Sequence, residues 1–165
     1  MRQPQPRGLT LIELMIGLAI LATLMSLALP SYLAYLQRTR LKAAAEGLAL
    51  DFTEARFESV RRGVPLHLSF SPGAPWCYAI TTQASCDCHV RSACTVKAVQ
   101  AADHRSVELS DARGASFDPA SGARVGDGIA LLQTASGSRL RVEISPLGRP
   151  RVCAPDGGMP GYGPC

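Results

Sequence analysis

RGLTLIELMIGLAILATLMSLAL, residues 7–29, decides how the chain is read. From Leu9 to Leu29 the only charged side chain is Glu13. At a helical rise of about 1.5 Å per residue, roughly 20 apolar residues cross the hydrocarbon core of a bilayer, and this run has that length. Residues 1–8, MRQPQPRG, are polar and carry Arg2 and Arg7 with no acid, which places the N-terminus on the cytoplasmic side by the positive-inside tendency. A cleaved secretory signal ends in a small-residue site; none follows cleanly, and helix-forming sequence continues past Pro30. An ordinary signal anchor accounts for the apolar run but not for Glu13. A carboxylate at membrane depth is costly and calls for a function or a partner.

Beyond Pro30 the sequence SYLAYLQRTRLKAAAEGLALDFTEARFESVRRG is rich in helix formers. Leu41, Ala45, Leu48, Phe52, Ala55 and Ser59 recur at spacings of three and four, one apolar stripe on a helix. Arg38, Arg40, Lys42, Glu46, Asp51, Glu54, Arg56 and Glu58 mostly lie off that stripe and are expected on a solvated face. Arg61 and Arg62 suit the negative end of the helix dipole, Gly63 the C-cap, and Pro65 prevents continuation. The predicted segments are a polar stretch at 1–8, a membrane helix at 9–30, its amphipathic continuation at 31–63, and a β-rich extracytoplasmic domain at 64–165.

After Gly63 the periodicity shortens. Runs at 64–70 (VPLHLSF), 76–81 (WCYAIT), 106–110 (SVELS), 129–134 (IALLQT) and 139–144 (RLRVEI) read as strands. Turn signals separate them: Ser71-Pro72-Gly73, Asp118-Pro119, Ser121-Gly122, Gly126-Asp127-Gly128 and Ser136-Gly137-Ser138, the last joining a hairpin. The predicted class is α+β, one long helix packed on an antiparallel sheet.

The chain is 165 residues long, enough for one modest domain plus a membrane segment. Net charge is +4, which permits an acidic partner without requiring one. Only Lys42 and Lys97 are lysines among 17 basic residues, a bias that composition alone explains and that says little about nucleic acid. All six cysteines, at 77, 86, 88, 94, 153 and 165, lie beyond the apolar block. An even count in a small extracytoplasmic domain favours disulfides. Cys153 and Cys165 close a short Gly/Pro-rich loop and are expected to pair. Cys77 is expected to pair within the 86/88/94 group, Cys94 included, with the partner left open. Cys86-Asp87-Cys88-His89 with Cys94 is a weak match to zinc-ligand spacing, and disulfides are the better reading. His67 and His104 are isolated, and neither a nucleophile motif nor a phosphate loop is present, so no catalysis, no cofactor, no metal and no small-molecule substrate is expected.

Arg7-Gly8-Leu9-Thr10-Leu11-Ile12-Glu13-Leu14 resembles the class III signal of type IV pilins and type II secretion pseudopilins. The resemblance implies cleavage after Gly8 by a prepilin peptidase, N-methylation of Leu9, and Glu13 as the assembly residue at the fifth position of the mature chain. Family members most often carry Phe where this chain has Leu9. Pro30 matches a proline common in these helices. With the helix and strands placed, Arg61-Arg62-Gly63-Val64-Pro65, Trp76-Cys77-Tyr78 and Gly148-Arg149-Pro150-Arg151-Val152-Cys153 are similar to the GspH/FimT family of minor pseudopilins and minor pilins. Other pilins and inner-membrane lipid are then the implied partners, and the inner membrane the implied location. Gly148-Arg149-Pro150-Arg151 also resembles the segment of DNA-binding minor pilins, making Arg149 and Arg151 candidate phosphate contacts, with Arg139 and Arg141 on the preceding strand as an extension.

Overall fold

A computed structural model describes residues 10–84, 86–90 and 94–165. One helix, α1 (Leu11–Arg62), carries Pro30 in its interior. Seven strands follow: β1 (Leu66–Ser71), β2 (Cys77–Thr81), β3 (Thr95–Gln100), β4 (Glu108–Phe117), β5 (Arg124–Gln133), β6 (Arg139–Ile144) and β7 (Pro150–Cys153). They form one antiparallel sheet in the order β3-β2-β1-β4-β5-β6-β7.

The chain divides into two compact units, one ending at Leu36 and one from Gln37 to Cys165. In the first, α1 buries none of its side chains: Leu11, Leu18, Leu24 and Leu29 are all more than half exposed. α1 is the one described helix long and apolar enough to cross a membrane. Its hydroxyls are satisfied inside the helix, Thr23 donating to the Ile20 carbonyl (2.7 Å) and Ser26 to that of Thr23 (2.8 Å).

In the second unit the stripe named above turns inward. Leu41, Ala45, Leu48, Phe52, Ala55 and Ser59 are each at most 1% exposed. They pack on Leu66, Leu68, Tyr78, Ile80, Leu109, Phe117, Ala130, Leu132, Leu140, Val142 and Ile144, the inward residues of the sheet. Alternation along β5 and β6 puts polar residues on the opposite face, as in β6, where Leu140, Val142 and Ile144 are buried between Arg139, Arg141 and Glu143.

Three details differ from the expectation. Gly126-Asp127-Gly128 lies inside β5 and is no turn. Both glycines have positive φ, and the register slips opposite them between Arg113 and Ala115, so they bend the strand where a side chain at 128 would meet Ile144 at 3.1 Å. β3 and β7 were not foreseen. Asp51, placed on the solvated face, is 6% exposed.

Candidate functional site

Gly8 and Leu9, the expected cleavage and methylation positions, lie outside the described residues. Glu13 lies in the first turn of α1. Its N–H donates to Thr10 Oγ1 at 3.3 Å, so Thr10 is the N-cap. Thr-x-x-Glu is a capping-box spacing, a signal of this helix start that the sequence itself carries. A carboxylate here also meets the positive end of the helix dipole. Glu13 is thus the one charge on an exposed apolar helix surface between Leu11 and Leu29.

The four candidate arginines are not gathered into one patch. Because β6 runs from Arg139 to Ile144, Arg139 stands at one end of the sheet and Arg149, in the β6–β7 turn, at the other. Arg139 makes a two-point ion pair with Asp156 (2.6 and 2.8 Å). Arg151 makes one with Glu143, its partner across the strands, with Nη2 at 2.5 Å. Arg141 is half-buried, and its Nε has no hydrogen-bond partner among the described residues. Arg149 is exposed, and its backbone N–H donates to Ser145 Oγ at 3.1 Å. Two of the four cations therefore already hold carboxylates.

The glycine of that segment has a packing role. Gly148 has φ 76°, and a Cβ there would lie 2.0 Å from the Gly122 carbonyl oxygen and 3.0 Å from Arg56 Nε. Arg56 Nε donates to that same carbonyl at 2.9 Å. One helix side chain so clamps the β4–β5 and β6–β7 turns together at the end of the sheet where α1 stops.

All six cysteines are paired: Cys77–Cys88, Cys86–Cys94 and Cys153–Cys165. Cys77 thus takes Cys88 from the three partners left open, and Cys94 takes Cys86. Cys77, Ala79 and Cys88 form a small second core with Ala98 packed against it, and every residue of β2 is buried. The sulfurs of Cys77 and Cys88 lie close to donor atoms of Asp87 and His89. With the two sulfurs bonded to each other, Asp87 and His89 alone are left as donors among the described residues of this cluster, short of the four that zinc takes.

A polar cluster that sequence reasoning misplaced joins α1 to β2 and β3. Buried Asp51 accepts from Tyr78 Oη (2.8 Å) and from Lys97 Nζ (2.5 Å). Burial, then the Asp51 charge, pushes the Tyr78 hydroxyl far above its ordinary range, and the Asp51 bond raises Lys97. At the C-terminal end of α1, Glu58 holds both Arg61 and Arg62, and these bonds lower its carboxyl to about 2.

Residues 44–148 match the family described as type II transport protein GspH. The chain belongs to that family. Residues 5–29 match the prokaryotic N-terminal methylation motif. A pilin-like protein of Thermus thermophilus, PilA1, is 46% identical over 69 residues, 41% of this chain. The match spans 43% of that relative's length. The type IV minor pilin FimU of Pseudomonas aeruginosa superposes with a TM-score of 0.50 at 18% identity, covering 73% of this chain and 98% of that one, and shares its fold. A GspH-family domain, a methylation motif and an exposed apolar helix together make this a pilin-like protein of the membrane-anchored kind.

Proposed function

We propose that this protein is a minor pilin or pseudopilin, cut after Gly8, methylated at Leu9, and built into a short filament that serves protein secretion by the type II route. The observation that carries this is Glu13: a lone carboxylate in the first turn of an exposed apolar helix that leads into a GspH-family domain. Cleavage exposes an α-amino group, and a neighbour's amine paired with Glu13 offsets the desolvation that an isolated carboxylate would suffer among packed helices. Before assembly the helix anchors the chain in the inner membrane, with the sheet domain on the periplasmic side, where its three disulfides persist. Mass spectrometry of membrane-extracted protein is expected to find a chain beginning at methylated Leu9. An intact N-terminus in cells that hold the peptidase overturns the reading.

A second reading, DNA capture during uptake, draws on exposed Arg149. The Arg139–Asp156 and Arg151–Glu143 pairs leave Arg149 and half-buried Arg141 to carry it. Phosphate contact of this kind weakens steeply with salt. The protein is then expected to retard duplex DNA at low salt and to lose this on Arg149→Gln. Retardation that survives the change removes the segment from the mechanism.

A further inference from the structure

At the end of the sheet domain where α1 enters it, the fold assembles a basic cleft from residues far apart in sequence. Arg40 comes from α1, and His104 and Arg105 from the turn between β3 and β4. The cleft has a volume of about 350 Å³ and also meets Asp103. Arg40 Nη1 donates to Ser106 Oγ at 3.5 Å, which ties the two walls together. The turn is firmly held: Trp76, 2% exposed, donates from Nε1 to the Val107 carbonyl (2.8 Å), and its ring stacks on His104 with centroids 6.1 Å apart. Asp103 is occupied, accepting the Gln100 N–H at 2.9 Å. Arg105 is exposed and makes no ion pair among the described residues.

Its place in the chain says what such a cleft meets. Arg38 and Arg40 follow Leu36, the last residue of the apolar unit, by two and four positions. Tyr32 and Tyr35, 59% and 65% exposed, precede them, and aromatic residues followed by basic ones mark the boundary of a bilayer with its headgroups. Arginine matches a phosphate with two parallel N–H donors, and juxtamembrane basic residues draw anionic lipid.

We propose that Arg40, His104 and Arg105 form a binding site for the phosphate of an anionic phospholipid headgroup, seating the domain on the membrane before assembly. The proposal rests on the reading of α1 as a membrane anchor. The bound headgroup lies against the His104 ring, so Trp76, the one tryptophan of the sequence, reports it.

The test uses the full chain in vesicles of phosphatidylcholine alone and of phosphatidylcholine with increasing phosphatidylglycerol. Flotation with both kinds of vesicle reports the anchor; its failure counts against the anchor reading and not against the headgroup site. The Trp76 emission is expected to shift as phosphatidylglycerol rises. The Arg40→Gln, Arg105→Gln double variant is expected to bind the anionic vesicles roughly thirtyfold more weakly and to show little of the shift at fractions that saturate it in the unaltered chain, since two basic side chains near the surface are lost. The Arg61→Gln, Arg62→Gln double variant, an equal loss of charge in the last turn of α1, is expected to leave the shift unchanged. Emission identical in the two kinds of vesicle, or a double variant that responds like the unaltered chain, overturns the proposal. So does an equal shift with inorganic phosphate added to the chain in neutral detergent, which would make free phosphate the ligand.

Discussion

Asp51 shows how one side chain can look solvated in a pattern and be structural in the fold. Removing its charge leaves the Tyr78 hydroxyl and the Lys97 ammonium without their acceptor. Asp51→Ala is expected to cost about 2 kcal/mol, the scale of a lost buried charge-assisted bond, read from urea melts of the full chain in detergent at pH 7. The same pair sets a pH dependence. Tyr78 and Lys97 both have folded values raised above their ordinary 10.0 and 10.5, so both hold a proton more tightly folded than unfolded. The stability they add is whole below pH 10 and is lost as pH climbs above it toward the folded values. The unaltered chain is therefore expected to lose stability as the pH rises above 10, and Asp51→Ala to lose less over the same rise. Gly148 gives a second test at this scale. A methyl group there collides with the Gly122 carbonyl, and its positive φ disfavours any L side chain. Gly148→Ala is expected to lower stability by about 2 kcal/mol, with hydrogen exchange rising in the 118–123 and 145–149 turns together; protection unchanged in the 118–123 turn would separate the two.

The C-terminal loop holds no strand of its own yet packs on the helix. Lys42 donates to the Pro160 carbonyl at 2.8 Å and sits over the Tyr162 ring, Tyr162 donates to Glu46, and Met159 is 3% exposed. Cys153–Cys165 closes this loop across a separation of 12 residues. Changing both cysteines to serine is expected to cost about 3 kcal/mol in the chain-entropy account and to expose 154–164 to protease. Unchanged protection would mean that the Lys42 and Glu46 contacts suffice alone. Elements with a regular period were legible in the sequence: the 41–59 stripe gave the helix face, and IALLQT and RLRVEI gave the β5–β6 hairpin around Gly137. What escaped was what has no period. β3 is an edge strand with mixed burial behind a cysteine-rich loop, and β7 is four residues beginning with proline. The glycines of β5 imitate a turn because bending a strand and turning a chain call on the same residue. Asp51 escaped because helical spacing places it beside the stripe, and only the approach of Tyr78 and Lys97 encloses it.

For the whole molecule, the two ends of the sheet are chemically different. Arg38, Arg40 and Arg105 lie where α1 enters the domain, while Arg56, Gly122 and Gly148 clamp the end where it stops. The candidate site in the sequence spanned both ends, since alternation along β6 gives a face but not what occupies it. Asp156 and Glu143 claim two arginines from loop and strand positions that no short-range pattern links to them. The helix start carried the clearest signal, because a charge inside an apolar run is legible without any fold. Its consequence belongs to the assembled state. Glu13→Leu removes the one charge of the run and makes insertion in the membrane easier. On the proposed function it also removes the partner for a neighbour's α-amine. The variant is expected to reach the membrane fraction in normal amount, begin at residue 9, and lose most of its crosslinks to other pilin-like subunits. Glu13→Asp, which keeps the charge on a shorter arm, is expected to retain part of them. Crosslinking of Glu13→Leu equal to that of the unaltered chain would show that apolar helix packing alone holds the subunit in place and that Glu13 has no part in assembly.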